Sequence, residues 1–163
     1  MIAPNVAGFD AAGARLFQAM KTGNVIAVVD VATHQVTAQW PTAPAEGPHG
    51  IAMAPEAGAI LVAGANGKLA MLSQTDGHVI ASADIPTGVD QIAYDAGLHR
   101  VYCASQKGKI AIVGVEKDKL VPAGDVATSD GARSIAVDAK THTVWIAYTQ
   151  GEAGVVQPFT PAK

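Results

Sequence analysis

Short apolar runs separated by glycine-bearing polar turns recur along the whole 163-residue chain. Four of them align by chemistry: RLFQA from Arg15, AILVA from Ala59, RVYCA from Arg100 and TVWIA from Thr143. Leu16, Ile60, Val101 and Val144 share one column, and Phe17, Leu61, Tyr102 and Trp145 the next. Aromatic and β-branched residues in runs this short favour strands, and apolar residues in consecutive columns suit a strand packed between two sheets. Each run is followed by a turn (KTGN, ANGK, QKGK, TQGEAG) and then by another apolar strand: VIAVVD, KLAMLS, KIAIVG or GVVQPF. More polar strands close the units as QVTAQW, HVIASADI and KLVPAGDV, the middle one reached through Asp76-Gly77, a dipeptide suited to hairpins. No stretch carries a helical period with caps.

A phrase repeats ahead of each unit. GVDQIAYD at Gly88 to Asp95 returns as GARSIAVD at Gly131 to Asp138 and, more loosely, as GPHGIAMA at Gly47 to Ala54. Anchored on Asp10, Ala54, Asp95 and Asp138, the spacings are 44, 41 and 43 residues, the period of four-stranded propeller blades. The predicted fold is an all-β propeller of four-stranded antiparallel blades, forming one domain over residues 1–163. Its four blades span about 4–42, 47–87, 88–128 and 131–160. After VVQPF the letters end in TPAK, so the last blade is expected to lack its outer strand. Three closures follow: a compact ring sealed by Met1 to Ala3, a half-ring cut from a longer chain, or two copies forming an eight-bladed ring. An open half-ring exposes two apolar faces, which favours self-association as a homodimer.

Composition narrows the functional classes. Hydrophobic residues make up 49% and charged residues 15%, enough apolar content for a sizeable core. A net charge of −3 without a basic run speaks against nucleic acid as partner. Cys103 is the only cysteine, which rules out an intrachain disulfide and a cysteine-based zinc site. The opening MIAPNVAGFD has no basic n-region or long apolar h-region, and no apolar run has the length of a membrane span.

Over GNVIAVVDVATHQV, GKLAMLSQTDGHVI, GVDQIAYDAGLHRVYCAS and GARSIAVDAKTHTVWIAY the chain resembles the YVTN-repeat, YncE-like propellers. The resemblance covers essentially the whole chain and matches the four C-terminal blades of such proteins. It implies a propeller fold and a periplasmic or extracellular setting. Related propellers serve in lactonases and in amine dehydrogenase subunits, and binding of nucleic acid is reported within the family.

Candidate chemistry lies in the variable letter of the repeated phrase. Asn5, His49, Asp90 and Arg133 occupy one column at the start of the innermost strand, where blades converge on the axis. Together they would present an amide, an imidazole, a carboxylate and a guanidinium at a channel mouth, a concave setting of the usual kind for ligands. Arg133 suits a carboxylate or phosphate, and Asp90 suits a cation or Arg133 itself. The loop Pro41 to Gly50 is longer than its counterparts, and Glu46, His49 and Asp90 are the residues from which a metal site would be built. His34, His78, His99 and His142 fall in turns and read as solvated. The recurring Asp10, Asp95 and Asp138 read as acceptors for turn amides. Trp145 falls in a core column, and of the two only Trp40, at the end of an outer strand, is a candidate for an exposed contact, with packing the favoured reading for it. With no catalytic constellation, resident metal or cofactor indicated, the expectation is a non-enzymatic module. It would bind a small ligand or protein at the channel mouth and inter-blade loops. A metal-assisted, lactonase-like hydrolase is the alternative.

Overall fold

The computed structural model describes residues 4–161. They form fifteen strands and one 3-10 turn, Pro55–Ala57, which leads into the second strand of the second sheet. The first sheet contains β1 (Pro4–Phe9), β2 (Arg15–Met20), β3 (Val25–Asp30) and β4 (Gln35–Pro41). The second contains β5 (Pro48–Ala54), β6 (Ala59–Gly64), β7 (Lys68–Ser73) and β8 (Val79–Asp84). The third contains β9 (Val89–Asp95), β10 (Arg100–Ser105), β11 (Lys107–Val115) and β12 (Leu120–Asp130). The fourth contains β13 (Ser134–Val137), β14 (Val144–Gln150) and β15 (Ala153–Phe159). Every sheet is an antiparallel meander in chain order, four-stranded in the first three and three-stranded in the fourth among the described residues. Met1 to Ala3, proposed from the letters as a closing segment, lie outside the described residues.

First strands set the common axis: β1 packs on β5, β5 on β9 and β9 on β13. Gly50 explains how closely they approach, because a Cβ there would sit 3.1 Å from both the Ile92 backbone nitrogen and its side chain. The sheet faces then interleave. Phe17, Ala19, Ile26 and Val28 of the first sheet pack with Ile51, Ile60, Val62, Ala70 and Leu72 of the second. Leu61, Leu69 and Met71 turn the other way, onto Val101, Cys103, Ala111 and Val113 of the third. Tyr102, Ala104 and Ile110 meet Val144 and Ile146 of the fourth.

The two aligned columns thus face opposite neighbours. Phe17, Leu61 and Tyr102 each look toward the following sheet and are 0%, 0% and 2% exposed. Their fourth counterpart, Trp145, meets no following sheet among the described residues and is 42% exposed. That corrects the expectation of a core place for Trp145, while Trp40 packs, as favoured for it. Trp145 faces outward beside the exposed Val156, whereas Trp40 is half-buried, its ring 5.7 Å from that of Phe17. Trp40 also lies on Gly77, where any Cβ would collide with the indole. At the other end, Phe9, Leu16, Val29 and Val36 align across the first sheet on the face opposite Phe17. Phe9 and Val36 are both exposed there.

Candidate functional site

The four residues of the variable column share one end of the first strands, and the register shows how they are held. Pro48 pairs with Gly64 and Gly50 with Ala63, leaving His49 unpaired between them. Val89 pairs with Ser105 and Gln91 with Ala104, leaving Asp90 out. In β1 the register slips between Pro4 and Ala7, around Asn5. Arg133 immediately precedes the first pair of β13, Ser134 with Ala147. Three of the four inner strands therefore open with a β-bulge at the variable position, and bulges re-aim side chains that a regular ladder would hold to one face.

Asn5 and Arg133 are exposed, and His49 and Asp90 are half-buried. His49 Nδ1 lies 2.7 Å from the Gly47 carbonyl, which fixes the ring. Arg133 lines a cavity of about 350 Å³ with Gly131, Ser134, Tyr148 and Thr149. Among the described residues, no hydrogen bond or ion pair joins any two of the four column residues. The long loop beside them is firmly tied. Gly47 N donates to Asn24 Oδ1 at 2.7 Å, Thr42 Oγ1 to the Ala45 carbonyl at 2.7 Å, and Asn66 Nδ2 to the Pro44 carbonyl at 2.9 Å. Its length thus serves to brace this end of the sheets. Among the described residues no three His, Cys, Asp or Glu side chains gather closely enough to hold a metal ion, so Glu46, His49 and Asp90 do not assemble as ligands.

Opposite this end, the repeated aspartates accept turn amides. Asp10 Oδ1 takes the amides of Ala14 and Arg15, and Asp138 Oδ1 those of Lys140 and Thr141. Asp95 takes Gly97 and Leu98 and goes further, meeting His142 Nδ1 of the fourth sheet at 2.9 Å. His142 is therefore a bridge between sheets, whereas the letters suggested a solvated turn. Arg15 Nη1 reaches the Gln74 carbonyl at 2.7 Å, and Tyr94 donates to Glu56, so each pair of neighbouring sheets has a polar tie on this side. Burial, followed by Glu56, pushes the Tyr94 phenol well above its ordinary range. Cys103 is fully buried, which raises its thiol to about 12 and leaves it a small apolar packing group.

No family model matches the chain, and no curated protein matches its sequence. Solved structures do. Hydrazine synthase from Kuenenia stuttgartiensis superposes with a TM-score of 0.83 at 17% identity, over 96% of this chain and 46% of that one. A chain of a mitotic checkpoint complex superposes with a TM-score of 0.80 at 10% identity, over 98% of this chain and 51% of that one. This chain thus spans about half the length of the structures it matches. Both neighbours contain propellers, and identities this low speak to architecture alone. The sheet order, the packed first strands and these superpositions together give the chain a β-propeller type of fold.

Proposed function

We propose that the chain is a non-enzymatic binding module of the YVTN-repeat type, four blades of a larger ring, which takes its ligand at the end marked by Asn5, His49, Asp90 and Arg133. The observation that carries this reading is the bulged column. Side chains held out of the ladder at the axis, with no side-chain hydrogen bond or ion pair at Asn5, Asp90 or Arg133 among the described residues, are free to serve a guest. The chemistry suits a small ligand or exposed peptide group that combines a carboxylate, for the Arg133 fork, with a cation or donor for Asp90.

The ring is completed by a second copy. The exposed Trp145 supports this: it continues a column that is buried wherever another sheet follows, and the apolar row Phe9, Leu16, Val29 and Val36 offers the matching open face. Joined head to tail, two copies bury both faces at two identical contacts.

Amide shift mapping with glycine, succinate and short peptides tests the ligand end. Shifts should centre on residues 5, 49, 90 and 133 and vanish in Arg133→Ala, which should fold like the parent because Arg133 is exposed and makes no side-chain bond among the described residues. If the whole panel leaves these amides unmoved, or if Arg133→Ala and Asp90→Ala respond like the parent, the reading fails. Light scattering tests the ring: the parent should have twice the mass of a Trp145→Glu variant.

A further inference from the structure

We propose that Asn66 is a one-way latch on the loop between β4 and β5. While the loop is docked the Asn66 amide is held; when the loop swings out, Asn66 deamidates through the Gly67 nitrogen and the tie is lost for good. This goes beyond the ligand end and holds whether or not that end binds anything.

The turn between β6 and β7 presses directly on the loop. A Cβ at Gly64 would stand 2.7 Å from the Glu46 backbone nitrogen and 2.5 Å from Asn66 Oδ1. Asn66 closes this contact with both arms of its amide: Oδ1 accepts from Glu46 N at 3.1 Å, and Nδ2 donates to the Pro44 carbonyl at 2.9 Å. An ionised aspartate could keep the first bond but has no donor for the second. Position 67 is equally constrained. Gly67 has a φ of +83°, and a Cβ there would stand 2.9 Å from the Ile85 carbonyl oxygen, so only glycine fits without strain. Two separate demands of the fold therefore write Asn-Gly, a pairing in which a thermolabile asparagine meets a following nitrogen that no side chain shields. The other two asparagines, Asn5 and Asn24, are each followed by valine, and the matching turns KTGN and QKGK place Thr22 and Lys107 before their glycines.

The reaction needs only water. Gly67 N attacks Asn66 Cγ, the new bond closes a succinimide ring, and Nδ2 leaves as ammonia, carrying the proton from Gly67 N. Water then opens the ring at either carbonyl and leaves aspartate or isoaspartate at position 66. In the docked state both reactants are engaged, the Asn66 amide by the loop and Gly67 N by the Gly64 carbonyl at 3.2 Å. Asn66 itself is exposed, so opening of the loop and of that one turn bond releases the pair. A second tie governs the opening: Gly47 N donates to Asn24 Oδ1 at 2.7 Å. After the reaction the Pro44 carbonyl has lost its donor and a carboxylate stands beside Glu46. The freed segment includes the Gly47 carbonyl, which lies 2.7 Å from His49 Nδ1.

The test holds the whole chain in mildly alkaline buffer at physiological temperature and follows each asparagine by peptide mass spectrometry, reading the conversion of amide to acid. Position 66 should convert well before positions 5 and 24. Asn24→Gly removes the second tie while keeping the left-handed backbone at φ +51°, which glycine accepts, and should speed conversion at position 66 roughly fivefold. A series in urea below the unfolding transition makes the same comparison on the parent, and the rate should rise with urea. In Asn66→Asp, which mimics the product, hydrogen exchange at the Gly47 amide should quicken roughly fivefold, because the lost bond to Pro44 lets the loop open more often. Conversion at position 66 no faster than at positions 5 and 24 would overturn the proposal. So would a rate indifferent to both Asn24→Gly and urea, or Gly47 exchange unchanged in Asn66→Asp.

Discussion

Asp95 and Asp138 occupy the same place in successive repeats, so removing each in turn measures what a tie between sheets adds to an ordinary turn. In Asp138→Ala two amides lose an acceptor, Lys140 N at 2.8 Å and Thr141 N at 3.4 Å, but both are exposed and rehydrate. The expected cost is about 1 kcal/mol. In Asp95→Ala the same two-amide arrangement is lost from a carboxylate only 1% exposed, and His142 Nδ1 loses its partner as well. The imidazole packs closely on Gly97, where a Cβ would stand 2.5 Å from its Cε1. Two turn bonds plus one charge-assisted bond at a partly buried site amount to about 3–4 kcal/mol. For a chain of this size each kcal/mol moves the melting temperature by roughly 2–4 °C. Thermal melts should therefore drop by about 10 °C for Asp95→Ala and about 3 °C for Asp138→Ala. Urea titrations of Asp95→Ala, His142→Ala and the double variant should give a coupling of about 1 kcal/mol. Equal losses at the two aspartates, or a coupling below about 0.3 kcal/mol, would refute the bridging role of His142.

Gly50→Val should destabilise the chain by about 2 kcal/mol in urea titrations, because the new side chain forces β5 and β9 apart against the Ile92 backbone. Cys103, buried with its thiol raised to about 12, should react with an aromatic disulfide reagent only as fast as the fold opens, and promptly in denaturant. Asp76 is held down to about 2 by the Ser73 hydroxyl and by His78, and Asp30 and Asp138 are lowered by their turn bonds. These carboxyls are more acidic folded than unfolded, so their stabilisation is complete above about pH 4 and is lost as the pH falls toward 2. Melting temperatures followed from pH 5 to pH 2 should decline in the parent and less steeply in Asp76→Asn.

Much of the strand layout was legible in the letters, because a strand packed on both sides needs apolar columns and many of the hairpins turn on a glycine. VIAVVD and KLAMLS coincide with β3 and β7 residue for residue. Cys103 as a small apolar filler was legible for the same reason. Columns do not, however, say which neighbour a residue faces. Trp145 shares its column with Phe17, Leu61 and Tyr102, and its exposure follows from there being no further sheet beside it among the described residues. Nor could His142 be separated from His34 or His99, since all three take left-handed backbone in polar turns and only the fold brings Asp95 to one of them. The column of Asn5, His49, Asp90 and Arg133 stood out by its variability. The bulges that hold three of its members were invisible, because an unpaired residue leaves no mark on an alternating pattern.

The bulges at His49 and Asp90 also decouple identity from folding. A residue that belongs to no ladder pair and fills no core site can be exchanged with little effect on the sheet behind it. Four such places, set side by side on a stiff support, amount to a small keyboard. Its keys can be relabelled by single-codon changes to present a new combination of charge and hydrogen bonding while the frame beneath them stays as it was.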